Sequence, residues 1–190
     1  MPDTFRVRRA GTADVAALAA LATRTFVHAF GADNDPRNIE RYVATSFSQR
    51  RIAEEVAAEG STVLLAYDDA VEPDVPIGYS RLQSGSAADG VNGTRPVQLV
   101  RIYVEPAMVG RGYGSALLRA CLDEAATGGS DVIWLGVWER NDRARRFYER
   151  WGFRRVGRHD FVLGDEVQTD DVLARGLRDH AGPVVDATTS

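Results

Sequence analysis

A strand-like segment followed by three closely spaced glycines constrains this chain more than any other feature. Residues 97–104, VQLVRIYV, are rich in β-forming side chains and end before Pro106, which cannot continue a strand. Gly110, Gly112 and Gly114 then allow the backbone to turn closely. Apolar residues recur at helical spacing after the last glycine. A glycine turn that opens a helix presents unpaired backbone N–H groups, which are a natural seat for a phosphate or pyrophosphate.

The spacing of these glycines excludes two common nucleotide-binding loops. A Walker loop requires Gly-Lys-Ser/Thr, and the chain contains no lysine, because all 23 of its basic residues are arginine. The dinucleotide-binding fingerprint requires G-x-G-x-x-G, which residues 110–114, GRGYG, do not contain. The residues alone therefore leave two readings open, an anion-binding turn and a plain turn without a ligand.

Length and composition are those of one globular domain. The chain has 190 residues, enough to bury about 70% of the surface that the unfolded chain exposes. A net charge of −4 argues against a general nucleic-acid binder and favours a cationic substrate. The single cysteine excludes an internal disulfide framework, and three scattered histidines have no metal-ligand spacing. No apolar run reaches the ~18 residues that span a bilayer, and no signal-peptide core is found, so we expect a cytoplasmic protein.

The order of predicted elements is that of a mixed α/β domain. Strands are predicted at 5–9, 62–67, 76–82, 97–104, 131–138, 153–157 and 168–177. Helices are predicted from Ala13 to about Phe30 with Thr12 as N-cap, from Asp35-Pro36 through a second cap at Ser48 to about Gly60, from Ser115 to Gly128, and from Asn141 to Gly152. We expect an exposed loop over 84–95, a single domain over 1–178 and a disordered tail over 179–190.

Two motifs resemble those of the Gcn5-related N-acetyltransferase (GNAT) family. The first, Val109-Gly-Arg-Gly-Tyr-Gly114, is similar to the turn that holds the pyrophosphate of acetyl-coenzyme A in that family, although the family usually has Gln or Arg where this chain has Val109. The second, Asn141-x-x-Ala144-x-x-Phe147-Tyr148-x-x-x-Gly152-Phe153, follows a strand as it does in the family. The resemblance implies an α/β (α+β) fold with a mixed, mostly antiparallel sheet of about seven strands flanked by helices.

The resemblance also implies where acetyl-coenzyme A lies and what the residues around it do. The sheet should splay between the strands that end near Val104 and Trp138, with the coenzyme in the gap. Tyr148 should donate a proton to the departing thiolate. Phe26 and Phe30 should line the acceptor pocket, although core packing explains them equally well. The residues implied in coenzyme binding are Ile102, Tyr103, Val104, Val109, Gly110, Arg111, Gly112, Tyr113, Gly114, Ser115, Asn141, Arg143 and Phe147.

Acetyl transfer to an amine requires a base, because an alkylammonium group with a pKa near 10.4 must first lose a proton. Glu105 and Glu139, at the ends of the two central strands, are the candidates, acting directly or through water. The alternative is that both are solvated strand-end carboxylates. Cys121 shares an apolar helix face with leucines, which favours core packing over a role as nucleophile.

The segment from His159 to Asp170, H-x-F-x-L-G-D-E-x-Q-T-D, resembles a bacterial branch of the family known for spermidine/spermine N-acetyltransferases. Its acidic residues, Asp160, Asp165, Glu166 and Asp170, suggest capture of a cation. The resemblance therefore implies direct transfer from acetyl-coenzyme A to a small cationic amine such as a polyamine. Amino-acid or peptide N-terminal amines, and a non-catalytic acetyl-coenzyme A sensor, are the alternatives. We expect no metal, nucleic-acid partner or membrane, and consider a homodimer.

Overall fold

The computed structural model describes residues 4–177, within which seven strands and five α-helices are found. The strands are β1 (Phe5–Arg9), β2 (Ser61–Asp68), β3 (Pro76–Ser84), β4 (Pro96–Val104), β5 (Val132–Trp138), β6 (Arg154–Leu163) and β7 (Glu166–Gly176). The helices are α1 (Val15–Phe30), α2 (Pro36–Ser46), α3 (Gln49–Ala57), α4 (Tyr113–Thr127) and α5 (Asp142–Arg150). Two short 3-10 turns, Thr12–Asp14 and Pro106–Met108, precede α1 and the glycine turn.

All seven strands form one mixed sheet in the order β1-β2-β3-β4-β5-β7-β6. Neighbouring strands are antiparallel except β4 and β5, which are parallel because α4 connects them as a crossover. The predicted fold class, a mixed and mostly antiparallel sheet of seven strands flanked by helices, is confirmed.

Each face of the sheet carries its own apolar core. On one face α4 and α5 pack through Leu117, Leu118 and Trp151. Cys121 lies in the same core, where burial raises the pKa of its thiol to about 12 and its Sγ donates to Ser80 Oγ at 3.0 Å. A thiol held protonated in this way is a packing residue, as its position on the apolar helix face predicts.

The opposite face is covered by α1, α2 and α3. The helical stretch Thr12–Phe30 is long and apolar enough, by length and composition, to cross a membrane, which the search for an uninterrupted apolar run did not predict. Leu18, Leu21 and Phe26 of this stretch are nevertheless buried against the sheet. That arrangement is typical of the core helix of a globular protein.

Two predicted boundaries are wrong, and each has a local cause. Thr12 does not cap α1, because it lies inside a 3-10 turn that Asp14 caps by accepting a hydrogen bond from the Gly11 N–H at 2.8 Å. The sixth strand does not end at Gly157, where the register with β7 shifts, but continues to Leu163. Gly164, with φ of +63°, then makes the tight turn into β7. The predicted disordered tail lies outside the described residues.

Candidate active site

The glycine turn joins β4 to α4 and exposes a group of backbone donors. Gly110 and Gly112 adopt φ of +85° and +88°, a region that favours glycine. Gly112 is the N-cap of α4, and residues 109–112 are exposed. Within residues 4–177 no hydrogen-bond acceptor is found for five N–H groups, those of Gly110, Gly112, Tyr113, Gly114 and Ser115. Free donors at a helix start form an anion-binding concavity.

A buried carboxylate fixes this turn to the rest of the sheet. Tyr113, the first residue of α4, is buried, and its hydroxyl donates to Asp68 at the end of β2. Asp68 also accepts from Thr4 Oγ1 at 2.6 Å and from the Ala70 N–H at 3.0 Å. The hydrogen bonds from Thr4 and Tyr113 lower the pKa of Asp68. The Tyr113 side chain therefore holds the turn in place, while its backbone N–H stays available to an anion.

A gap opens beside the turn because β4 and β5 pair only over Pro96–Gln98 and Val132–Trp134. Beyond these residues the strands diverge, as predicted, and no other strand within residues 4–177 pairs with the edge of β4 that faces β5. A cavity of about 260 Å³ fills the gap and passes between the two faces of the sheet. It is bordered by residues 98–103 and by Gly136, Val137 and Trp138.

On the α5 side of the cavity lie Asn141, Ala144 and Tyr148. Asn141 caps α5, because its Oδ1 accepts from the Ala144 N–H at 3.0 Å. Tyr148 is 9% exposed, and burial raises its pKa well above the ordinary value. No hydrogen bond to its hydroxyl is found among residues 4–177. The structure thus presents a protonated phenol to the cavity, a group that can donate.

Aromatic rings line the cavity on the face covered by α1 and α2. Phe26 and Phe30, with ring centroids 4.8 Å apart, both border it. Tyr42 stacks on Phe26 at 4.6 Å, and Phe161 lies 5.6 Å from Tyr42. Phe26 also belongs to the apolar core of this face, so its ring both packs in the core and borders the cavity. Closely spaced rings of this kind can bind a cation by their π faces.

Two titratable groups, Asp170 on β7 and His159 on β6, meet on the same side of the cavity. Their side chains approach to 3.7 Å between His159 Nε2 and Asp170 Oδ2. Burial raises the pKa of Asp170 from 3.8 to about 6, against the opposing effect of His159. Gln168 borders the cavity next to them and donates to Asn34 Oδ1 at 2.5 Å.

Several predicted site residues do not border the cavity. Glu105 accepts from the Arg24 guanidinium at 2.6 Å, and Glu139 is half-buried beyond the end of β5. Arg143 is exposed on α5. Of the four predicted acidic residues, Asp170 alone lines the cavity, since Asp160, Asp165 and Glu166 are exposed and are not part of its lining.

Eight arginines lie between positions 140 and 158, and three of them have a structural role. Asp171, buried at 2% exposure, has three guanidinium partners, Arg145, Arg155 and Arg158, at 3.2, 2.8 and 3.3 Å. These arginines hold α5 and β6 to β7, which is a structural role. Among residues 4–177 no group of three or more His, Cys, Asp or Glu side chains is placed to hold a metal ion.

Sequence reasoning missed Tyr42, Trp138 and His159 as cavity residues. A usable signal was present in β6, where His159, Phe161 and Leu163 alternate with exposed residues. That period of two places His159 and Phe161 on one face and Asp160 on the other. The predicted end of the strand at Gly157 concealed this pattern.

Comparisons with known proteins agree with one another. Residues 15–153 match the model of the acetyltransferase (GNAT) family. An uncharacterized N-acetyltransferase of Lactobacillus delbrueckii is 31% identical over 164 residues, covering 86% of this chain and 92% of the relative. Another, of Mycobacterium tuberculosis, is 34% identical and covers 86% and 98%. The crystal structure of PaiA N-acetyltransferase from Thermoplasma acidophilum, determined with coenzyme A, superimposes with a TM-score of 0.71 at 18% identity and covers 90% of this chain and 98% of that one. At that identity the likeness establishes the fold.

Proposed function

The chain belongs to the acetyltransferase (GNAT) family, and from that premise we propose that it transfers the acetyl group of acetyl-coenzyme A directly to the primary amine of a small cationic acceptor, such as a polyamine. The observation that carries the proposal is the cavity through the splayed sheet. Its lining connects the face of the sheet that α4 and α5 cover to a face with aromatic rings and a carboxylate. The glycine turn, with its free N–H groups, opens α4 and is not itself part of the lining. The turn and the aromatic face are the two kinds of surface that a coenzyme diphosphate and an ammonium ion need.

The coenzyme fits the residues of the first face. Its pyrophosphate would accept hydrogen bonds from the free N–H groups at Gly110 to Ser115, and its pantetheine arm would pair with the free edge of β4. The exposed Val109 is compatible with this arrangement, because the donors belong to the backbone. Backbone N–H groups of β4 would polarise the thioester carbonyl without any side chain. The bound coenzyme supplies the acetyl group and a thiolate leaving group.

The second face fits a small amine. The cavity is about 260 Å³, which suits an extended alkylamine better than a folded peptide. Phe26, Phe30 and Tyr42 offer apolar contact to a methylene chain, and Asp170 offers a negative charge. A cytoplasmic location and a homodimer stay predictions.

Turnover of an amine panel tests the proposal. We expect acetylation of polyamines in preference to amino acids and peptide N-termini, and an increase in thermal stability with acetyl-coenzyme A, since a ligand that binds only the native state adds about 2.7 kcal/mol at a hundredfold excess over Kd. A thermal shift without turnover on any amine would favour the acetyl-coenzyme A sensor. Preference for peptide N-termini would replace the cationic acceptor with a peptide.

The variant Tyr148→Phe tests the proton donor. It keeps the ring and removes the hydroxyl, so kcat should fall by roughly 10²–10⁴ while KM for acetyl-coenzyme A changes little. Tyr67→Phe is the matched control, because the Tyr67 hydroxyl contacts Arg8 at 2.6 Å and lies outside the cavity. A kcat within about threefold of the parent for Tyr148→Phe would assign Tyr148 to packing.

A further inference from the structure

The facing pair Asp170 and His159 occupies the acceptor side of the cavity in a fixed register. The two residues are direct partners across the antiparallel β6–β7 ladder, so their Cβ atoms lie on the same face of the sheet. The Asp170 side chain is 14% exposed and the His159 side chain 33% exposed. The carboxylate is therefore the more enclosed member, and the imidazole is the more accessible to water. With the carboxylate on the inside and the imidazole on the outside, a proton could pass from the cavity to solvent through the pair.

The central strand β5 leaves room for this pair at Gly136. A Cβ atom built at Gly136 would lie 2.8 Å from His159 Nε2 and 2.9 Å from Asp170 Oδ2. Both distances are shorter than real Cβ contacts allow, so any larger residue would displace the pair. The pair therefore lies directly over the strand that borders the gap. Gly136 itself borders the cavity, which places the carboxylate next to the gap where the thioester is proposed to lie.

The charged and titratable groups around Asp170 come from several elements. His159 faces it from β6, and Tyr42 is close enough on α2 for their charges to interact. The neighbouring Asp171 raises the pKa of Asp170 but is itself paired with three arginines. Arg101, also in the cavity lining, is bound through both terminal nitrogens to Glu55 at 2.9 and 2.7 Å. His159 is thus the nearest group with which Asp170 can exchange a proton.

We propose that Asp170 accepts the proton of the acceptor ammonium group and that His159 passes it to solvent. This inference rests on the proposed function. The ammonium group carries three protons. One moves to the Asp170 carboxylate, and the neutral nitrogen then uses its lone pair to form the C–N bond while the C–S bond breaks and its electrons go to sulfur. A second proton reaches the sulfur by way of Tyr148, and the third stays on the amide nitrogen. Glu105 and Glu139 have no step in this sequence.

The environment of Asp170 makes it a better base than an exposed aspartate. A carboxyl group with a pKa near 4 binds a proton too weakly to draw it from an alkylammonium at neutral pH. Burial brings the pKa of Asp170 to about 6, closer to the pH at which such an enzyme works. The geometry and the protonation behaviour therefore agree on the same residue.

Asp170→Asn is the direct test, with Asp160→Asn as the matched control because Asp160 is an exposed neighbour on β6 outside the cavity. With a strongly basic alkylamine, we expect kcat/KM of Asp170→Asn to fall by roughly 10²–10⁴. With a weakly basic amine that is already neutral at the assay pH, the loss should shrink to within about tenfold. A larger loss with the strongly basic amine in Glu105→Gln or Glu139→Gln than in Asp170→Asn would return the base to the ends of β4 and β5 and would overturn the assignment.

A second readout does not depend on turnover. Carbon-13 NMR of the ligand-free protein, labelled at aspartate, should show one carboxyl that titrates near pH 6 and is missing in Asp170→Asn. Binding of acetyl-coenzyme A, measured by calorimetry, should be unchanged in the variant. Equal losses for both amines, or activity within threefold of the parent, would overturn the assignment. Absence of turnover in the parent protein would instead contradict the proposed function.

Discussion

At the scale of single residues, Asp170 is a group whose environment disfavours its charged form. Its side chain is mostly buried, and its surroundings raise its pKa from 3.8 to about 6. Between these two pH values the native protein binds more protons at this site than the unfolded chain does. The contribution of Asp170 to the free energy of unfolding therefore decreases as the pH rises from about 4 to 6. Above that range the ionised carboxylate destabilises the fold.

Replacing this residue should stabilise the protein in a pH-dependent manner. We expect Asp170→Asn to raise the free energy of unfolding by about 1–2 kcal/mol at pH 7.5, after allowance for partial exposure, and to leave it nearly unchanged at pH 4. Urea unfolding at both pH values measures this difference, and Asp160→Asn, being exposed, should show none. A less stable Asp170→Asn protein at pH 7.5 would identify a structural carboxylate.

At the scale of elements, the glycine turn requires a positive φ at Gly112 but not at Gly114. Gly112 has φ of +88°, so an alanine there is strained by about 1–2 kcal/mol and shifts the donors that follow it. Gly114 is in the first turn of α4 with an ordinary φ. A Cβ at Gly114 would meet Val104 Cγ2 at 4.0 Å, which is a normal contact directed into the protein.

Alanine variants at Gly112 and Gly114 should therefore differ in their effect on acetyl-coenzyme A binding. Gly112→Ala should weaken acetyl-coenzyme A binding by at least about tenfold. The affinity of Gly114→Ala for acetyl-coenzyme A should stay within about twofold of the parent, and its stability should rise slightly because alanine forms helix better than glycine. Isothermal calorimetry gives both affinities. If Gly114→Ala lost as much affinity as Gly112→Ala, the proposed orientation of the turn would be wrong.

The elements were more predictable than the residues that meet between them. The pattern of β-forming residues located all seven strands. Asp35 and Ser48 are the N-caps of α2 and α3, as predicted. Glu105 and Glu139 were chosen as bases because they end the two strands that border the gap. The carboxylate and the imidazole that line the cavity come from β7 and β6, at one end of the sheet order, and neither glutamate is part of that lining. Which strand lies beside β5 depends on pairing distant in sequence, and no local pattern carries that information.

At the scale of the whole molecule, the sheet consists of two well-paired halves. β1 to β4 are joined by long antiparallel ladders, as are β5, β7 and β6. The halves join through Pro96–Gln98 and Val132–Trp134. Burial of the free edge of β4 by the coenzyme should therefore be visible in amide hydrogen exchange.

Hydrogen exchange of the whole protein should map the coenzyme onto this junction. Adding acetyl-coenzyme A should slow exchange at residues 99–104 and 110–115, because their free N–H groups would gain acceptors. Exchange in β1, which pairs with β2 far from the gap, should change little. Mass spectrometry of peptic peptides reports both regions. Equal protection across the molecule would indicate general stabilisation and would contradict binding along β4.

The short junction between the halves also affects the mechanical behaviour of the sheet. Hydrogen bonds between strands give a sheet its stiffness, and few cross the line between β4 and β5. Bending motions should concentrate there, with the halves moving as two plates about a hinge near Gln98. The cavity should widen and narrow with that motion. The pairing pattern that opens the cavity should thus also make it compliant, which would ease the entry and release of ligands.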